Sequence, residues 1–382
     1  MMRWFGSESS RISPTTRAAW FREWRMHRAW LIVAALLIMA GPVTNVVRVL
    51  GAAGGDPHQM MYWKVLLPAL YNYNFQTGNG FPDIANFHVV SGTAIKQFEV
   101  LAAAILGGLV WGNDRSAGLT DALRSPLSRT DIARAKVLLP AVVIGLSWLG
   151  VGVLIAGVNA FNAAGTNGFS VPWYTIWTWW LTNLIAFAAG LSTGFLIGAV
   201  VGVFGVAFIF TFLSLFYPWI VGSFVDQVVA PPQLSVPVTS ALTGLGGFVK
   251  ALSPVTFGGT SMSITGTSAS EIITWGSGTL LGPFGTLHWI WLCLWTALAW
   301  LLAHRMFVRT PVEWQDHVFV APALWRWAIL FVSFPLAFML IRASSPPHTW
   351  SGLPLFLAVC ASTGVLYVIL RLAMKRYLST QR

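Results

Sequence analysis

Charge is scarce in this chain: 9% of its 382 residues are Asp, Glu, Lys or Arg, against 56% that are hydrophobic. That scarcity excludes an ordinary water-soluble globular fold, because the apolar runs exceed what one core can bury. Cysteine is nearly absent. Cys293 and Cys360 stand alone inside apolar runs. This argues against a disulfide framework or a cysteine metal site and suits two small buried hydrophobes. Lysine is rare as well. The five lysines, at 64, 96, 136, 250 and 375, never follow Gly and never precede Ser or Thr. A phosphate-cradling Gly-x-x-x-x-Gly-Lys-Ser/Thr loop is therefore missing, and the chain cannot hold ATP by that means. His-Glu-x-x-His and Cys-x-x-Cys are missing too, and His288 and His304 border one apolar run at opposite ends. Nor does a short apolar core with a small-residue cleavage site open the sequence, because the first apolar run starts only near Ala29.

Long apolar runs are what the sequence has. A helix that crosses a bilayer needs about 20 mostly apolar residues. The runs are continuous rather than alternating, which points away from a membrane β-barrel. The fold class read from them is an all-α polytopic membrane protein with about eight transmembrane helices. The expected crossings are 29–46, 98–111, 137–158, 173–196, 201–223, 287–307, 327–341 and 353–370. The uncharged stretch from Trp173 to about Phe224 is too long for one crossing and is divided in two.

Charge placement supports that division. With both termini in the cytoplasm, the inner segments hold 18 of the 23 basic residues; only Arg48, Lys64, Lys96, Lys250 and Arg342 fall elsewhere. The positive-inside rule predicts this asymmetry, and a single crossing over 173–224 would reverse it for every later cluster. The basic surplus thus sets orientation and meets anionic lipid headgroups, and nucleic acid is not an expected partner.

Two long connections lie outside in this topology, 47–97 and 224–286. The first includes an aromatic amphipathic stretch, "MMYWKVLLPALYNYNFQ". The second includes "ALTGLGGFVKALSPVTFGG", either a surface loop or a segment that re-enters the membrane under the shelter of protein. Gly190, Gly194, Gly198 and Gly202 recur every fourth residue, which places them on one helix face where backbones approach closely. They serve either helix packing or a subunit interface, packing being the commoner use. Gly190-Leu191-Ser192-Thr193-Gly194 spells Gly-x-Ser-x-Gly, but inside an apolar helix with no base nearby in sequence it reads as packing. Glu99 is the sole acidic residue inside the expected crossings and reads as a snorkelling interfacial carboxylate. Without mid-membrane carboxylates there is little support for a proton- or sodium-coupled carrier.

One compact segment breaks the pattern. "NDRSAGLTDALRSPLSRTDIARAK", Asn113 to Lys136, holds eight of the 35 formal charges. Residues 116–124 fit a short helix on which Leu119 and Leu123 share a face with Ala122 beside them. Ser125-Pro126 ends that helix, because the residue before proline is pushed from the α region. Ser128-x-x-Asp131 then has the form of a capping box that starts the next helix. The result is either a solvated loop with basic anchors or a small ridge, held at the membrane by two turns, that docks on a soluble partner.

The residues Asp114-Arg115, Gly118-Leu119, Leu123, Ser125-Pro126-Leu127-Ser128-Arg129, Ile132 and Lys136 resemble the first cytoplasmic loop of ABC-2-type transporter permeases. "TTRAAWFREWRMHRAW" is similar to that family's membrane-lying elbow helix, and "LSPVTF" to a motif before its last core crossing. Asn113-Asp114 replaces the family's usual paired glutamates. The resemblance covers about residues 15–310. It implies an arm and elbow over 1–28, a six-helix core over 29–310 with a coupling loop at 112–136, and an added hairpin and tail over 311–382.

The resemblance further implies a permease subunit of an ABC exporter in the cell membrane. Such a subunit is not an enzyme by itself and binds no cofactor. ATP and magnesium sit on separate ABC ATPase subunits, and a second permease, identical or a sister, completes the pathway. Gly118, Leu119, Ala122, Leu123, Arg124, Ser125, Pro126 and Arg129 then form the ATPase contact. Two other readings stay open: a membrane scaffold or assembly subunit with no pathway, and an integral membrane enzyme that modifies lipid.

Overall fold

The structure, a computed structural model, describes residues 14–52, 73–75, 88–91, 94–117, 128–164, 173–201, 203–229, 245–250, 252–254, 262–263, 286–309, 324–344 and 352–380. Its long helices are α1 (Pro14–Ala52), α2 (Ala94–Ala117), α3 (Arg129–Ala164), α4 (Trp173–Val200), α5 (Phe204–Val229), α6 (Thr286–Arg309), α7 (Leu324–Ser344) and α8 (Gly352–Thr380). Each expected apolar run falls on one of these helices, except that α5 starts at Phe204 and not at residue 201. Six of them carry stretches long and apolar enough to cross a membrane: 129–158, 183–200, 205–228, 289–309, 324–344 and 352–373. The protein is therefore helical and membrane-embedded, with several passes.

Local chemistry explains the helix boundaries. Ser128 caps α3: its hydroxyl accepts the Asp131 N–H at 3.1 Å and donates to the Asp131 carboxylate at 2.7 Å, the capping start expected from the sequence. The uncharged 173–224 run is divided between two helices, α4 ending at Val200 and α5 starting at Phe204. No Gly or Pro interrupts residues 15–40, so α1 runs unbroken through the arm expected to lie on the membrane and into the first crossing.

The core is built around α4. Of its apolar stretch 67% is buried, against 17% for α8, so α4 is central and α8 peripheral. α2 and α6 flank α4, and α1 pairs with α3. Trp148 and Trp180 lock α3 to α4 reciprocally, each indole N–H donating to the other's carbonyl at 2.9 Å. Trp295 of α6 donates to the Thr193 hydroxyl of α4 at 2.9 Å. Ser192 lies buried in the same helix, in keeping with a packing role for the Gly-x-Ser-x-Gly match. The α7–α8 hairpin sits on α5 through aromatic contacts, with Phe331 stacked on Tyr217 at 4.3 Å and Phe338 edge-on to Phe224 at 5.7 Å.

Three features depart from the sequence reading. A small antiparallel sheet joins the two long connections: β1 (Tyr73–Phe75) pairs with β2 (His88–Ser91), which pairs with β3 (Met262–Ser263) through His88↔Ser263 and Val89↔Met262. Both cysteines face outward from the bundle instead of inward; on helices that face lipid, an outward apolar side chain costs nothing. Glu99 is 2% exposed, buried among the helices and not reaching outward as a snorkelling carboxylate would. Its neighbour Val100 packs beside Gly190, which stands 10 residues, or about 15 Å, before the end of α4. α2 starts only at Ala94, so a residue near its first turn lies deep beside the longer α4.

The second connection also folds against the bundle. Residues 245–250 form a short helical segment whose Lys250 pairs with Asp226 of α5 at 2.5 Å. Beyond it the Ser253 hydroxyl donates to the Leu215 carbonyl, and Trp291 of α6 donates to the Leu252 carbonyl. Leu215 lies 14 residues, about 21 Å, from the end of α5 at Val229. The chain thus returns along the C-terminal half of α5 to mid-helix, where the Lys250, Ser253 and Leu252 polar groups are met by α5 and α6.

Candidate functional site

The most unusual chemistry in the described residues is a buried charged junction where α1, α2 and α3 meet. Lys136 of α3 is fully buried. Its ammonium group donates to Glu23 Oε2 of α1 at 3.1 Å and to the Val110 carbonyl of α2 at 2.6 Å. Arg22 holds the other oxygen of Glu23 at 2.6 Å. His27, one turn along α1 and also buried, places Nε2 3.4 Å from Glu23 Oε2. Removing an ion from water costs several kcal/mol, and these bonds offset that cost.

The local sequence explains the convergence. Glu23 and His27 are four apart, so they share a face of α1, while Phe21, Trp24 and Arg25 point outward. Ile132, Ala133 and Lys136 lie on one face of α3 that is buried against α1. Val110 stands about two turns before the end of α2, and Lys136 about two turns after the start of α3. The junction therefore sits directly at the base of segment 118–127. It ties both flanks of that segment to α1.

Burial alone would raise the Glu23 carboxyl pKa. Lys136 beside it, with smaller help from His27 and Arg22, outweighs burial and holds it at about 2, below its ordinary 4.5. The folded pKa lies below the unfolded one, so the stabilisation is complete above about pH 4.5 and is lost as pH falls toward 2. Thermal unfolding in detergent across this window should show a midpoint that drops on acidification. In Glu23→Gln the drop over this window should be smaller. Parallel acid profiles for the two proteins would remove Glu23 from the account.

The expected ATPase contact is only partly described. Gly118, Leu119, Ala122, Leu123, Arg124, Ser125 and Pro126 lie outside the described residues. Arg129 is the first residue of α3, half-buried, inside the Ser128–Asp131 cap. Of the motif residues, Ile132 and Lys136 are buried at the junction. Glu23 escaped the sequence reading, because an acid among the six arginines of the N-terminal arm reads as a solvated charge. The usable signal was its (i,i+4) spacing to His27, a second polar residue on the same stripe.

The glycine stripe forms a second contact, between α4 and α2. A methyl group on Gly190 would meet the Val100 carbonyl at 2.8 Å, and one on Gly198 the Gly108 carbonyl at 2.8 Å and Trp111 at 2.9 Å. At Gly194 it would fall on the Ala104 carbonyl oxygen, and Gly107 of α2 is equally tight against Leu191. Gly202 lies outside the described residues. Beside this crossing Trp111 is wholly buried, edge-on to Phe307 of α6 at 4.9 Å and tilted against Phe195 of α4 at 5.9 Å. The base of α2 is thereby fixed to α4 and α6 as well as to α1 and α3. Comparison with protein-family models finds no match for the chain, and comparison with curated proteins finds no significant relative.

Proposed function

We propose that the chain is the permease subunit of an ATP-driven ABC transporter, an exporter, moved by separate ATPase subunits that grip residues 112–136. The observation that carries this reading is the buried Glu23–Lys136–Val110 junction beneath that segment. A push on a solvated loop dissipates in the loop. A push on this segment is delivered to two helix ends that are pinned to a third helix and, through the glycine crossing, to α4. The resemblance of residues 114–136 to the ABC-2 coupling loop supplies the partner, and Lys136 of that motif is the residue at the junction.

In this reading all eight long helices cross the cell membrane, both termini are cytoplasmic, and the sheet between the two long connections lies outside. A second permease, identical or a sister, faces this one across the pathway. ATP and magnesium are held by the ATPases.

The test is Leu123→Asp. An aspartate on the apolar ridge pays desolvation wherever the ridge is covered by a partner. Affinity purification of the wild-type chain from its native membrane should bring down magnesium-dependent ATP hydrolysis. Leu123→Asp should lower that activity about tenfold or more, the loss that about 1.4 kcal/mol of interface free energy produces, with an unchanged unfolding midpoint. Equal activity with both proteins, or none with wild type, sinks the reading.

A further inference from the structure

Between α7 and α8 the structure leaves a cavity of about 560 Å³, within the size range of small-molecule sites. Its walls are Trp327, Leu330, Cys360 and Gly364, and its polar lining includes Arg326 and Tyr367. It persists because Gly364 has no side chain to fill it: a methyl group placed there would meet nothing within 4 Å.

Charge marks one end of the groove. Cys360, Gly364 and Tyr367 follow one stripe of α8 at helical spacing, and that stripe continues to Arg371 and Lys375, both exposed. α7 and α8 are adjacent members of one hairpin, so the start of α7, with Arg326, and the end of α8, with Arg371 and Lys375, belong to the same end. Arg326, Arg371 and Lys375 form no ion pair among the described residues. An apolar trough with an aromatic at its mouth and several cations beyond has the chemistry of an anionic lipid site: acyl chain in the trough, phosphate at the cations.

We infer that the α7–α8 groove binds one anionic phospholipid, its acyl chain against Gly364 and its phosphate held by Arg326, Arg371 and Lys375. The lipid completes the packing of the hairpin, which otherwise rests on α5 through its aromatic face and on the end of α4 through Ala328 and Trp325. This inference needs only a membrane around the helices and is independent of any ATPase.

The whole chain, purified in detergent, is equilibrated with equimolar phosphatidylglycerol and phosphatidylcholine of the same acyl chains and examined by native mass spectrometry. One phosphatidylglycerol should be retained in preference to phosphatidylcholine, by about tenfold or more as three cation contacts imply. Arg326→Gln with Arg371→Gln should abolish most of the preference. Gly364→Leu fills open space and improves helix propensity, so it should keep the unfolding midpoint while losing the bound lipid. Equal retention of the two lipids by wild type overturns the inference, as does a preference that survives both variants. Full displacement of the lipid by glycerol phosphate alone would also overturn it, since the trough then contributes nothing.

Discussion

Replacing Lys136 by Met lowers the unfolding free energy by about 3–5 kcal/mol, the cost of leaving a buried charge without its partner. The ammonium group is the bond donor that joins Glu23 of α1 to the Val110 carbonyl of α2. Without it, Glu23 keeps Arg22 and the His27 contact but loses its largest favourable interaction. The double variant Glu23→Leu with Lys136→Met should recover most of the loss, because a buried ion pair exchanged for apolar side chains of similar size is often neutral. Thermal and denaturant unfolding in detergent of the wild type, the two single variants and the double variant measures this coupling directly. A neutral Lys136→Met, or a double variant no better than the worse single one, would show that the junction holds nothing together.

At Gly194, a leucine should cost about 3 kcal/mol, the upper part of the range for overpacked cores. The first added carbon lands on the Ala104 carbonyl oxygen, and a helix backbone cannot turn aside as a side chain can. α2 and α4 must then separate, which loosens the contacts at Gly190, Gly198 and Gly107 together. Gly157→Leu is the control: a Cβ at that position meets nothing within 4 Å, and its effect should stay within about 0.5 kcal/mol. If the two leucine variants unfold alike, close backbone packing is not what fixes α2 on α4. The same separation would loosen Trp111 of α2 from its partner Phe195 of α4.

Much of the helical layout was legible because its cause is local. Apolar runs near crossing length, a Ser128-x-x-Asp131 cap and an uncharged stretch too long for one helix each depend only on neighbouring residues. The division of that stretch into α4 and α5 follows the charge argument, with the junction about four residues later than expected, since an uncharged run carries nothing to mark the exact point. Glu99, Cys293 and Cys360 were placed on the wrong side of the burial boundary. In a bilayer, inward and outward faces are both apolar, so the amphipathic contrast that orients a soluble helix is weak here. A period of four in glycine identifies a close-packed face without naming the helix that meets it.

By itself the sequence determined that this chain lives in a membrane as a bundle of helices, because every residue contributes its own transfer free energy regardless of its partners. It also marked 113–136 as the place where charge collects. Only the tertiary structure decided that Glu23 and Lys136, 113 residues apart, form a buried ion pair at the base of that segment. It likewise set which helix the glycines face and where the α5–α6 connection returns along the bundle. Those outcomes depend on distances between distant parts of the chain, and such distances exist only once the helices have packed.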